Sequence, residues 1–247
     1  MRLYLIRHGQ SANNAAEAGG VEGRVPDPEL TDVGHRQAQL LAEHLTAPEG
    51  DALRHPRAPG GNGRNGYGLT HVYCSLMTRS ILTADYIARA ADVPLVADAD
   101  IFEKQGMYDV APDGAKNGIP GPDRSYFSER FPHLALPETI GDAGWYDRPH
   151  ETDDVFLGRA GKVARDIEAR HGGTDDHVAL VIHGDLIDQL VNEFTGLPRR
   201  PENYAHHWVA NWAFHNTSIT RIDADAGARV VVYTNRAQHL PADLITW

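Results

Sequence analysis

Cysteine is nearly absent from this chain. Cys74 is the only one in 247 residues, so no internal disulfide can form and a secreted disulfide scaffold is excluded. No apolar stretch is long enough to span a bilayer, and the first residues already read as a strand carrying Arg2 and Arg7 rather than as a secretory leader. A soluble, cytoplasmic protein with no membrane partner is the expectation. Asn216-Thr217-Ser218 fits the N-glycosylation pattern, but nothing brings it to that machinery. Positive charge is scarce too: 23 Lys and Arg against 34 Asp and Glu leave a formal net charge of −11. That balance argues against a nucleic-acid partner, and any anionic ligand must be captured by local positive charge. Several chemical signatures are missing as well. There is no P-loop, no Gly-x-Ser-x-Gly elbow and no His-Glu-x-x-His or Cys-x-x-Cys spacing. The 14 histidines do not imply a metal, because the densest spot, His206-His207, puts neighbouring side chains on opposite faces of a strand. No cofactor is implied either.

The length suits a single α/β domain with a sizeable core, spanning residues 1–247. Thr31 is the N-cap of a helix whose apolar face holds Leu40, Leu41 and Leu45. Residues 48–68, rich in Pro, Gly and Asn, read as a loop. Gly61-Asn62-Gly63-Arg64-Asn65-Gly66 formally matches the dinucleotide pattern, but a loop precedes it and a strand (69–74) follows, so it is a decoy. A helix is expected over 78–91, with Ile81, Leu82, Tyr86 and Ile87 inward, and a short strand near Leu95-Val96. Residues 98–150 are irregular and aromatic-rich, and an insertion of that length inside a compact domain reads as a lid or binding loop. A helix over 151–171 with Val155, Phe156, Val163 and Ile167 on one face, a strand over 177–182 and a helix over 185–194 follow. Two strands, 208–221 and 229–235, joined by a turn at 223–227, close the chain. Strands alternating with helices predict a three-layer α/β/α sandwich on a mostly parallel sheet, with an antiparallel pair at its C-terminal edge.

The chemistry concentrates at strand ends. Leu3-Tyr4-Leu5-Ile6 is a buried-strand run that stops on Arg7-His8-Gly9, where open α/β sheets place ligands. Arginine offers a fork matched to phosphate, histidine can be nucleophile, acid or base, and Gly9 permits a tight turn or close approach to an anion. Ser75-Leu76-Met77-Thr78-Arg79 follows the second strand, and His183-Gly184-Asp185 follows a later one. Parallel strands point their carboxyl ends the same way, so Arg7, His8, Arg79 and His183 can converge on one anion. Crowding two arginines with two histidines should depress both imidazole pKa values, and a neutral imidazole is what a nucleophile needs.

These blocks, together with Ser11, Asn14 and Asp27-Pro28-Glu29-Leu30-Thr31, resemble in type and order the histidine phosphatase superfamily, also called phosphoglycerate mutase-like. The resemblance implies that His8 is the nucleophile that forms a phosphohistidine, that Arg7, Arg79 and His183 hold the phosphoryl oxygens, and that Asn14 and Ser11 line the phosphate pocket. Asn14 and Ser11 read equally well as residues that shape the turn. The family also uses a carboxylic acid in a Glu-x-x-x-Gly-x-Trp-Glu-Gly-like stretch. Glu103 is the best match, although Gly106 comes one residue early and Tyr108-Asp109 stands where Trp-Glu is usual, which leaves Asp109 or another acid of the insertion as alternatives. The implied activity is a metal-independent phosphatase acting on a small phosphorylated metabolite. The alternative is a phosphoglycerate mutase, disfavoured because no Glu-Arg-x-Tyr-Gly-like stretch is found. A non-catalytic phospho-ligand binder would be expected to lack the nucleophile or an arginine, and neither is missing.

Overall fold

The computed structural model describes residues 1–18, 23–51, 66–197, 211–225 and 227–247. β1 (Arg2–Arg7) lies between two neighbours and is apolar at every interior position. Its alternation still matters: Tyr4 and Ile6 enter one core, while Leu3 and Leu5 enter the other. α1 (Ala12–Ala18), a short helix the periodicity did not foretell, follows the strand-end loop. α2 (Asp32–Thr46) starts where the Thr31 side chain accepts the Gly34 N–H, and buries Gln37, Ala38, Leu41, Ala42 and Leu45. β2 (His71–Cys74) leads to α3 (Thr78–Ala91) and β3 (Leu95–Ala97). α5 (Asp153–His171), β7 (His177–Ile182) and α6 (Gly184–Thr195) form the second strand–helix layer, after a β4 (Tyr108–Val110) and β5 (Lys116–Gly118) hairpin, α4 (Arg124–Arg130) and β6 (Leu134–Ala135). β8 (Ile219–Asp225) and β9 (Ala228–Arg236) end the sheet.

The main sheet has seven strands in the order β6-β3-β2-β7-β1-β8-β9. The first five run parallel, and β8 and β9 form the expected antiparallel pair. α2 and α3 cover one face together with Phe102, Phe127, Trp145 and Tyr146 of the insertion, and α5 and α6 cover the other. Among the described residues no helix is long and apolar enough to cross a membrane.

Several local expectations need correction. The last-but-one strand starts at Ile219, not 208; residues 211–218 are turn and coil, and 198–210, including His206-His207, lie outside the described residues. β8 runs on to Asp225, which pairs with Ala228, so the turn is tighter than 223–227. Val155 is exposed, because the helix face that packs inward is set by Phe156, Val163 and Ile167. The insertion is not all irregular: β6 pairs with β3 and supplies the edge of the main sheet. Most of the glycine-rich decoy, residues 61–65, also falls outside the described residues. The apparent glycosylation triplet is wholly buried.

Candidate active site

Strand register assembles the site. Arg7 pairs with Ile182 across β1 and β7, and Cys74 with Val181 across β2 and β7. The next residue on each strand is therefore His8, His183 or Ser75, and the three meet at the carboxyl edge of the sheet. The His8 and His183 ring centroids are 5.1 Å apart, and the Ser75 hydroxyl lies 2.7 Å from His183 Nε2.

The His8 ring is held at both nitrogens. Nδ1 lies 2.7 Å from the Gly9 carbonyl, which can only accept, so Nδ1 carries the proton. Nε2 then presents its lone pair, into which Arg79 Nε–H donates at 3.1 Å. Burial, followed by Arg79 and Arg7, holds the His8 pKa well below the ordinary histidine value. Burial and Arg79 do the same to His183. Both rings are neutral at neutral pH, as the crowding argument requires.

Arg7 Nη1 donates to the Phe214 carbonyl at 2.6 Å, which anchors one arm of the guanidinium. Arg79 sits in the first turn of α3, and its Nη1 lies 3.9 Å from Asp27 Oδ1. Asp27 is fixed in turn by the Thr78 N–H and hydroxyl at 3.0 and 2.6 Å. Three buried nitrogens of this cluster have no hydrogen-bond partner: Arg7 Nε, Arg79 Nη1 and His183 Nδ1. An unsatisfied buried donor costs on the order of 1–3 kcal/mol. Two arginines and a histidine with donors to spare are an arrangement that can receive an anion.

Glu103 feels both arginines. Burial and then Asp185 push its carboxyl up to about 7, against the pull of the Lys104 N–H, Arg79 and Arg7. Asp109 sits instead on an exposed strand of the β4–β5 hairpin. Glu103 is placed by a turn in which the Gly106 N–H donates to its carbonyl at 3.0 Å. Gly106 has φ +69°, and a Cβ there would fall inside the Tyr146 ring.

Ser11 and Asn14 are engaged with each other at the start of α1. The Ser11 N–H and hydroxyl donate to Asn14 Oδ1 at 3.1 and 3.0 Å. The same oxygen receives Asn216 Nδ2, which also donates to the His8 carbonyl at 3.1 Å. The structure thus brings all seven residues singled out from the sequence into one neighbourhood, with Ser11 and Asn14 reaching it through Asn216.

Sequence reasoning missed Asp27, Ser75, Thr83 and Asn216 as individual contributors. Thr83 Oγ1 accepts the Gly9 N–H at 3.0 Å, one helical turn after Arg79. The only signal for Asn216 was the glycosylation-like triplet, read there for a different chemistry. Gly9 has a further reason to be small. Its φ is ordinary, and a Cβ would come within 2.7 Å of the Gly34 carbonyl, so it is small to admit the start of α2.

Away from this site, at the amino ends of β2 and β7, His71, His171 and Asp176 lie with ligand-capable atoms within 4.8 Å, a grouping their sequence spacing did not announce. His171 there bridges Tyr73 and Asp176 by hydrogen bonds of 3.1 and 2.9 Å.

A model of the histidine phosphatase superfamily (branch 1) matches residues 3–55 and 64–237. The chain belongs to that superfamily. Among curated proteins it is 32% identical over 226 residues to a probable phosphoglycerate mutase of Yersinia pestis (strain Pestoides F), covering 90% of this chain and 85% of that one. Its fold is shared with a phosphoserine phosphatase of Entamoeba histolytica (TM-score 0.57, 17% identity, 97% and 99% of the two chains). It is shared too with the α-ribazole phosphatase of Shigella flexneri (TM-score 0.57, 20% identity, 96% and 97%). Superfamily members are phosphatases or mutases, and this chain is an enzyme of that group.

Proposed function

We propose that the chain hydrolyses a small phosphomonoester, without a metal ion, through a phosphohistidine on His8. The observation that carries this reading is the polarity of the His8 ring: Nδ1–H is spent on the Gly9 carbonyl, and Nε2 keeps its lone pair beside Arg79.

Substrate phosphate takes the unpartnered donors of Arg7, Arg79 and His183, and the Arg79 fork leaves Nε2 for phosphoryl oxygen. Nε2 then attacks phosphorus in line, an N–P bond forms and the ester P–O bond breaks. Glu103, whose pKa of about 7 keeps a protonated fraction at neutral pH, gives its proton to the leaving alkoxide. In the second half Glu103, now a carboxylate, takes a proton from water as the oxygen attacks phosphorus and the N–P bond breaks. Inorganic phosphate leaves and His8 is regenerated. Arg7 and Arg79 supply the positive charge that other phosphotransfer sites draw from metal ions. Residues 98–150, which carry Glu103, act as the lid.

The mutase is the second reading, and the 32% identity to a probable phosphoglycerate mutase is what favours it. It differs only in returning the phosphoryl group to a second hydroxyl. Incubation with a panel of phosphomonoesters in the presence of chelator, with 3-phosphoglycerate among them, separates the two. Release of inorganic phosphate is expected; isomerisation to 2-phosphoglycerate without release would establish the mutase instead.

A further inference from the structure

At the amino edge of the sheet, opposite the phosphate cluster, three metal-ligating side chains meet. His71 opens β2, His171 closes α5, and Asp176 immediately precedes β7. Pairing of His71 with Val178 sets the start of β2 beside the turn that carries Asp176. The two imidazole centroids stand 4.7 Å apart, edge to face. His171 Nδ1 lies 2.9 Å from Asp176 Oδ2, and His71 Nδ1 lies 3.9 Å from Asp176 Oδ1. One ligand-capable atom of each residue lies within 4.8 Å of the other two.

A carboxylate–histidine hydrogen bond that steadies the turn accounts for the 2.9 Å contact. It leaves the approach of His71 unexplained, because 3.9 Å is too long for a hydrogen bond. Two ligand atoms on one zinc ion, each about 2.0–2.2 Å from it, stand roughly 3.4 Å apart in a tetrahedral site. The two separations from the carboxylate bracket that value. Rotation of the partly exposed His71 ring closes the widest gap, and trades the 2.8 Å contact of its Nδ1 with Thr70 Oγ1 for the ion.

The surroundings suit a metal too. Tyr73 Oη lies 3.1 Å from His171 Nε2, where it can receive that N–H while Nδ1 faces the ion; ligating imidazoles are commonly oriented in this way. Thr174 fixes the turn, its hydroxyl donating to the His171 carbonyl at 2.7 Å and accepting the Asp176 N–H at 3.1 Å. His171 is buried, whereas His71 and Asp176 reach the surface, which gives an ion a way in and leaves one side open to water. Arg170, the cation over the Tyr73 ring, is engaged by Asp98 at 3.0 Å.

We propose that His71, His171 and Asp176 bind a divalent transition-metal ion of the zinc class, with water completing the coordination. Two nitrogens and one carboxylate oxygen favour such an ion over magnesium or calcium, which take oxygen ligands. The length of β7 separates this edge from His183 by roughly 20 Å, so the ion has no part in the phosphoryl transfer proposed above. Its role is to fasten the end of α5 to the start of β2, and its binding adds to the stability of the fold.

Titration of the chelator-stripped chain with zinc, against a chromophoric competitor, should show one ion bound, and cobalt(II) in its place should give the visible absorption of a low-coordinate site. His71→Ala should weaken zinc by about a hundredfold or more, as should the nearly isosteric Asp176→Asn. Tyr73→Phe removes only the partner of a ligating ring and should cost about tenfold. Zinc should raise the urea midpoint of the wild type but not that of His71→Ala, and the midpoints without zinc show that each variant is folded. His8→Ala should bind zinc as the wild type does. No binding at micromolar zinc, or an affinity unchanged in both His71→Ala and Asp176→Asn, would overturn the site. So would loss of zinc in His8→Ala, which would move the ion to the phosphate cluster. None of these readouts requires turnover.

Discussion

At the residue scale, His8 depends on one neighbour for its tautomer and on another for the placement of its lone pair. His8→Ala should abolish turnover with the fold intact, and acid-labile, base-stable phosphate should appear on the wild-type chain in a rapid quench. Its absence at every time point would remove the covalent mechanism. Arg79→Lys keeps the charge but loses the planar fork and the Nε–H that meets His8 at 3.1 Å. A fall in rate on the order of 10²-fold or more is expected; kinetics like those of the wild type would show that the fork does no work. Glu103→Gln should slow alkyl phosphates by roughly 10²–10⁴-fold while sparing p-nitrophenyl phosphate, whose phenolate leaves unaided. For alkyl substrates the wild-type rate should decline above about pH 7, since Glu103 is pushed up to about 7 and the acid form is lost there. Equal losses on both substrate types would assign Glu103 to binding or structure.

At the element scale, the contact between the loop after β1 and the first turn of α2 controls where His8 sits. A Cβ on Gly34 would stand 2.1 Å from the Gln10 carbonyl, backbone that cannot yield cheaply. Gly34→Ala should destabilise by about 1–3 kcal/mol and also lower kcat, because Gly9 and its carbonyl move with the loop. Gly158→Ala is the contrast. It lies exposed on α5 with nothing within 4 Å of a new Cβ, and should stabilise by roughly 0.5–1 kcal/mol. Urea midpoints of the two variants on opposite sides of the wild type would confirm the pair; a neutral Gly34→Ala would mean the loop gives way freely. Strands and helices of this layer were legible because each carries its own signal: apolar runs in β1 and β7, a capping threonine before α2. Residues 211–218 were misread as strand, and the buried ones among them, Phe214, Asn216, Thr217 and Ser218, are buried for a different reason. Phe214, Asn216 and Thr217 wrap the strand-end loop and bond the Arg7 and His8 backbone or side chain. Burial without pairing looks the same as burial in a sheet when only composition is visible.

At the scale of the whole molecule, burying neutral histidines in several places makes the fold acid-sensitive. His8, His183 and His177 are held below the ordinary value, and burial pushes His239 down to about 3. A folded pKa below the unfolded one means the native state binds fewer protons. Stability is therefore full above the unfolded histidine pKa of about 6.5 and is lost as pH falls below it, by up to about 1.4 kcal/mol per pH unit for each group. Glu103, pushed up to about 7, and Asp27, also raised by burial, oppose this, but six histidines are held low, His44 and His150 among them. Urea unfolding should thus show a lower midpoint at pH 5 than at pH 7, and inorganic phosphate should stabilise the chain by filling the anion site. A midpoint that rises on acidification would contradict neutral burial of these rings.

What the sequence determined by itself was the alternation of strands and helices, the strand-end position of Arg7, His8, Arg79 and His183, and the acidic balance that makes their positive cluster conspicuous. Those properties are local: periodicity, caps and composition are written within a few residues of one another. Only the tertiary structure decided which acid joins the cluster, because the distinction between Glu103 and Asp109 depends on which faces the two arginines. It alone also showed Asn216 bridging Asn14 to His8 and His71 meeting His171. Those partners are separated by 202, 208 and about 100 positions. Contacts over such distances arise from sheet order and register, which no local pattern of side chains encodes.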